Sequence, residues 1–111
     1  MKLTMVRYRV RPDRLAENEE LVRGVYQELS EQPVEGLRYG TFRSADGDFV
    51  HLAWVDPALA SNPLGEVAAF QRFTEHIGER AEEPPVAIQL EEVGSFRFLQ
   101  SGERSESGDE T

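Results

Sequence analysis

From Lys2 to Arg11 the chain alternates with a period of two. Val6, Tyr8 and Val10 share one face of a predicted strand, and Leu3, Met5, Arg7, Arg9 and Arg11 share the other. Pro12 stops sheet pairing, and Asp13 is placed as the N-cap of a helix running to about Ser30, ahead of the breaker stretch EQPVEG. Its apolar stripe is Leu15, Leu21, Val22, Val25 and Leu29, with Tyr26 at the margin. Asn18 falls in the middle of that stripe, where a buried amide must find partners. It is read either as a structural side chain bonded to neighbouring backbone or water, or as a pocket residue.

Two further alternating runs, residues 37 to 43 and 48 to 55, flank Asp46-Gly47, a turn signal that predicts an antiparallel hairpin. Asn62-Pro63 then supplies an N-cap and a first-turn proline for a second helix to about Ala81, with Val67, Phe70, Phe73, Thr74 and Ile77 inward. A fourth strand starts at Val86, is interrupted at Gly94-Ser95 and resumes as FRFL. The order β-α-β-β-α-β predicts an α+β, ferredoxin-like domain over residues 1 to 100: a four-stranded antiparallel sheet with both helices on one face. Residues 101 to 111 have no apolar side chain and are expected to be a disordered acidic tail.

The third strand, DFVHLAWV, complicates this picture because both of its faces are apolar. Phe49, His51, Ala53 and Val55 lie on one side and Val50, Leu52 and Trp54 on the other. Two helices cover one face only, and an open apolar face of several hundred Å² is rare on a monomer, so the pattern predicts a second sheet from a homodimeric partner. His51 and Trp54, three positions apart, must point to opposite faces. If Val6, Tyr8 and Val10 face the helices, the arginines of strand one look into the dimer, with Glu91 or a partner carboxylate to neutralise them. His51 is expected to join that polar layer between the sheets.

Composition narrows the function classes. With 12 Lys+Arg against 21 Asp+Glu the formal net charge is −9, which disfavours nucleic acid and anionic membrane as partners. The absence of cysteine excludes disulfides, thiolate nucleophiles and Cys-based metal sites. No run is long and apolar enough to span a membrane, and the start lacks a signal-peptide pattern, so a cytoplasmic location is expected. The two histidines and scattered carboxylates show no metal-ligand spacing, and there is no phosphate loop or nucleophile elbow.

The element order, HLAWVDPAL after the hairpin and AAFQRFTEHI in the second helix together resemble the antibiotic biosynthesis monooxygenase-like family of dimeric α+β barrels. Trp54 matches a tryptophan that commonly closes the third strand, and Thr74-Glu75-His76-Ile77 loosely matches a Thr-Pro-His-aromatic motif, with the proline and the aromatic replaced. The resemblance implies two facing sheets, with the fourth strand or its FRFL extension reaching across, and small pockets between sheet and helices. Some relatives oxidise anthrones and quinols with O₂ and neither metal nor flavin; others degrade haem, a poorer match because strand one carries no asparagine.

That resemblance makes a cofactor-independent monooxygenase acting on a small aromatic or quinol the expected activity, with no cofactor. His76 and Trp54 are the expected catalytic residues, and Tyr8, Asn18, Phe70 and Phe73 the expected substrate contacts. Histidine is the natural proton acceptor near neutral pH, and an apolar cleft that excludes water favours such chemistry. Each residue also has a plain role: His76 at the edge of the helix's apolar stripe is equally a surface histidine, and Trp54 fills core volume. The alternative is a non-catalytic or small-ligand-binding dimeric module.

Overall fold

The computed structural model describes residues 2–98. Strands β1 (Lys2–Arg9), β2 (Leu37–Arg43), β3 (Asp48–Val55) and β4 (Val86–Leu90) form one antiparallel sheet in the order β2-β3-β1-β4. Helices α1 (Leu15–Glu31), α2 (Ala68–Glu75) and α3 (Ile77–Arg80) pack on one face, giving the ferredoxin-like α+β arrangement expected from the sequence. The expected tail at 101–111 lies outside the described residues, as does Leu99 of the FRFL stretch.

Local chemistry explains where the elements begin. Gly47 turns the β2–β3 hairpin at φ 97°, and a Cβ there would sit 3.0 Å from Leu15 of α1, so glycine satisfies both the turn and the close approach. Asp13 does not cap a helix: Pro12–Arg14 form a 3₁₀ turn, and α1 starts at Leu15 with no side-chain cap. Asn62 does cap, accepting from Leu64 N at 2.9 Å, but it opens the 3₁₀ turn Pro63–Glu66 rather than a continuous helix. The second helix is consequently shorter than expected and breaks at His76, whose φ of −126° and ψ of 30° leave the helical region.

The free N–H groups that open α2 are satisfied from another element. The Glu28 carboxylate of α1 accepts from Ala68 N at 3.2 Å and Ala69 N at 2.8 Å. A negative charge on an otherwise uncapped N-terminus is favourable, and here it also fixes α2 against α1. Beyond α3 the chain returns to the sheet: Ala81 bridges Val10, Arg11 N donates to Arg80 O and Glu82 N to Arg9 O. Arg80 is thereby tied beneath α1.

The register decides what faces the helices. Val6 lies opposite His51, Tyr8 opposite Phe49 and Thr41 opposite His51, so these side chains share the helix-covered face. The core there joins Tyr8, Val10, Phe49 and Ala53 of the β1–β3 region to Val22, Val25, Ala69 and Phe73 of the helices. The other face carries Leu3, Met5, Val50, Leu52, Trp54, Ile88 and Leu90, and no helix of the described residues packs on it; Phe42 and Val86 are exposed. Arg9 finds its carboxylates within the chain, Asp48 at 3.0 Å and Glu82 at 3.9 Å, rather than at Glu91. Past Leu90 the chain leaves the sheet, with Val93, Phe96 and Phe98 exposed, so FRFL does not resume the strand within the described residues.

Candidate functional site

A cavity of about 220 Å³ lies between the sheet and α2–α3. Val6, Tyr8, Tyr39, His51 and Ala53 form its sheet side and Phe70, Phe73, Thr74 and Ile77 its helical side, with Thr4, Asn62, Leu64 and Pro85 completing the lining. A larger groove of about 500 Å³ runs along Thr4, residues 55–57 and 59–62, and Gln89, but Asp56 is its only titratable side chain. The smaller cavity is the one that combines apolar aromatic walls with convergent polar groups.

Those polar groups form a continuous run. Arg80 Nε donates to Asn18 Oδ1 at 2.8 Å, Asn18 Nδ2 donates to the Tyr8 hydroxyl at 3.1 Å, and that hydroxyl lies 2.8 Å from His51 Nε2. On the other side of the ring, His51 Nδ1 lies 2.8 Å from the Tyr39 hydroxyl and 3.0 Å from Thr41 Oγ1, which in turn meets the Tyr26 hydroxyl at 2.7 Å. Asn18 is 0% exposed and His51 5%, so each of these bonds replaces lost hydration. The aromatic rings around them are in contact: His51 stacks on Tyr8 at 5.4 Å and meets Phe73 at 5.2 Å, and Tyr39 meets Phe70 edge-on at 6.3 Å.

Burial sets the protonation. Removal from water pushes the His51 pKa down to about 4, so the ring is neutral at pH 7. The same desolvation pushes the Tyr8 hydroxyl up to about 12, although the Asn18 hydrogen bond and the Arg80 charge both act to lower it, and it raises Tyr39 as well. A neutral imidazole between two neutral phenols can relay a proton without an exposed charge. It is also a weak base, which limits it to acidic partners.

Of the residues expected from the sequence, Tyr8, Phe70 and Phe73 line the cavity. Asn18 stands behind Tyr8 and reaches the cavity only through it. Trp54 does not share this site, because its register opposite Leu3 and Arg38 puts it on the uncovered face, with the Arg38 guanidinium 4.6 Å from its ring centre. His76, at the junction of α2 and α3, has a 60% exposed side chain within 3.3 Å of Glu79 and 3.7 Å of Glu75. The expectation for His51 is corrected: pairing with Val6 turns it toward the helices, not into a layer between two sheets.

Tyr39, Thr41 and Arg80 were not singled out from the sequence. The signal for the first two was parity, since Tyr39 and Thr41 alternate in step with the face of the hairpin that holds Ala53 and His51. Arg80 continues the Phe73–Ile77 spacing by one more helical step, but an arginine at that position reads as surface. Among the described residues, no three His, Cys, Asp or Glu side chains come together as a metal site would require.

Comparison with solved structures places this architecture. A Nitrosomonas europaea protein provisionally named an antibiotic biosynthesis monooxygenase superposes with a TM-score of 0.68 at 18% identity, over 83% of this chain and 89% of that one. The fold is that of the antibiotic biosynthesis monooxygenase structures. Rv0793 from Mycobacterium tuberculosis superposes on this chain with a TM-score of 0.67 at 18% identity, covering 85% of this chain and 96% of that one. SnoaB, a cofactor-independent oxygenase from Streptomyces nogalater, does so with a TM-score of 0.58 at 18% identity over 86% and 97%. No protein-family model and no curated protein matches the sequence.

Proposed function

We propose that the chain is a cofactor-independent monooxygenase acting on a small hydroxylated aromatic, a phenol or quinol, held in the cavity between sheet and helices. The observation that carries this reading is the Tyr8–His51–Tyr39 run opening on a cavity walled by Phe70, Phe73 and Ile77. Size narrows the ligand: an apolar cavity of about 150 Å³ holds benzene, and drug-sized ligands need roughly 300 Å³ or more. A space of about 220 Å³ suits one substituted ring or a compact bicycle.

The chemistry requires little from the protein. A ligand hydroxyl gives up its proton toward Tyr8 and His51, and the electron-rich anion reduces O₂ itself. For a quinol the sum is quinol plus O₂ to hydroxyquinone plus water. One C–O bond forms, the O–O bond breaks, and the ring C–H and both O–H bonds break; two of these hydrogens leave in water and the third ends on the new hydroxyl. The substrate supplies the electrons, and the weakly basic His51 restricts the reaction to acidic hydroxyls. Stoichiometric O₂ uptake with substituted hydroquinones, lost in His51→Gln and Tyr8→Phe and kept after chelation and dialysis, is the expected result. Absence of protein-dependent uptake across such a panel overturns the reading.

A specific feature favours a second reading. Both His51 nitrogens already meet hydroxyl groups, as expected of a satisfied core histidine. A small-ligand-binding module without catalysis would show saturable binding of the same phenols with no O₂ consumption.

The same proposal includes a homodimer assembled through the uncovered sheet face. Leu52 and Trp54 lie on that face, and the buried Trp54 indole N–H has no acceptor among the described residues. A partner sheet would cover the apolar surface. Sedimentation should give a dimer at micromolar concentration, and a monomer there rejects the assembly.

A further inference from the structure

Arg80 is the least expected member of the polar run. It is 1% exposed, and no ion pair to a carboxylate is found for it among the described residues. Its guanidinium instead donates to Asn18 Oδ1 and to the Phe73 carbonyl, and it lies 5.5 Å from the centre of the Phe73 ring. A buried cation with neutral partners is costly, and ring contact offsets only part of that cost.

What the guanidinium provides is direction. Arginine has donors and no acceptor, so the Asn18 atom facing it must be the amide oxygen. The Asn18 amide nitrogen then faces Tyr8 and can only donate to the hydroxyl oxygen. Tyr8 has one proton, and its remaining partner in the run is His51 Nε2. With no other acceptor for the Tyr8 proton among the described residues, that proton lies on this bond and Nε2 accepts it. A neutral imidazole with Nε2 unprotonated carries its proton on Nδ1, which donates to the Tyr39 hydroxyl and Thr41 Oγ1.

We infer that Arg80 is a positioning residue whose one-way donation through Asn18 orders the protons from Asn18 to His51, so that Tyr8 meets a ligand in the cavity as an acceptor and selects a hydroxyl over a carbonyl. Tyr8 lines the cavity, and its proton is already committed to His51. Without Arg80 the Asn18 amide is free to turn over, and the opposite order becomes equally available. This deepens the reading of the cavity as a phenol or quinol site and rests on that reading for the identity of the ligand. The proton order itself is a property of the empty protein.

The test is long-range ¹H–¹⁵N correlation on the full chain without ligand at neutral pH. The two histidine rings are assigned with His76→Gln. Wild-type protein should show His51 as the Nδ1–H tautomer. Asn18→Asp keeps the shape and the bond to Arg80 but can only accept; it should take the Tyr8 proton and turn His51 into the Nε2–H tautomer. Arg80→Gln, which can present either end to Asn18, should give a mixture, and Arg80→Lys, again a donor only, should restore Nδ1–H. An Nε2–H tautomer in the wild type overturns the inference, as does an Nδ1–H tautomer in Asn18→Asp or an unmixed Nδ1–H in Arg80→Gln. An inactive protein with the predicted tautomers would reject the oxygenase and leave the proton order standing.

Discussion

The Tyr8 hydroxyl lies 2.8 Å from His51 Nε2, and the two rings stack with centroids 5.4 Å apart, although 43 residues separate them in the chain. The antiparallel register produces this contact. His51 is directly opposite Val6 and Tyr8 directly opposite Phe49, which makes Tyr8 and His51 diagonal neighbours on one face, within reach of long aromatic side chains. A single-residue slip would send one of them to the uncovered face and dismantle the run.

The first consequence is a stability that depends on His51 in acid. Its native pKa, lowered to about 4 by burial, lies below its ordinary value near 6.5, so the unfolded chain binds a proton that the native state refuses. Stability therefore falls as pH drops through about 6.5 and stops falling from this source below about 4. The span corresponds to about 3 kcal/mol. Denaturant titrations between pH 7 and 4 should show the wild type losing this stability while His51→Gln does not. Parallel curves for the two proteins would reject a buried neutral His51.

The tyrosines give the matching result in alkali. Desolvation raises all three, with Tyr8 pushed up to about 12. Ultraviolet titration of the native protein should show Tyr8 and Tyr39 un-ionised near pH 10, where a free phenol ionises, so at most one tyrosine contributes there. Tyr8 and Tyr39 should appear together, in the pH range where circular dichroism shows the chain unfolding. A native step of two or three tyrosines near pH 10 would mean that Tyr8 or Tyr39 reaches water.

Glu28 offers a purely structural prediction. Its carboxylate accepts from the first two N–H groups of α2, the helix that carries Phe70 and Phe73 into the cavity. Glu28→Ala should cost roughly 1–2 kcal/mol, as loss of a helix cap does, and Glu28→Gln should recover part of it through the remaining amide oxygen. Chemical denaturation measures both, and no change in Glu28→Ala would show that solvent serves those N–H groups equally well.

These contacts also show what the sequence could disclose. The hairpin boundaries at residues 37–43 and 48–55 were legible because Asp46-Gly47 and strict alternation specify them locally. Asn18 was legible as an anomaly, a polar residue in an apolar stripe, but its partners Tyr8 and Arg80 come from distant parts of the chain. Parity groups His51 with Phe49 and Ala53 in the sequence, but which face of β3 meets the helices depends on its register with β1, and only that register sets His51 opposite Val6. The break at His76 went unread because the apolar spacing runs through it unchanged, and only the chain's return to β1 at Ala81 requires it.

The uncovered sheet face yields the last prediction. Leu52 sits near its middle, opposite Met5 on β1 and Gly40 on β2, and on the side away from the cavity. If a second copy covers this face, Leu52→Glu would bury an unpaired carboxylate in the contact, at a cost of several kcal/mol. About 3 kcal/mol is already a hundredfold loss of association. Sedimentation should then show monomer at concentrations where the wild type is a dimer, with far-ultraviolet circular dichroism unchanged. Trp54 is the only tryptophan and lies on the same face, so its emission should move to longer wavelength as that face meets water. An unaltered sedimentation profile and emission in Leu52→Glu would place any dimer contact elsewhere and leave the apolar face without a partner.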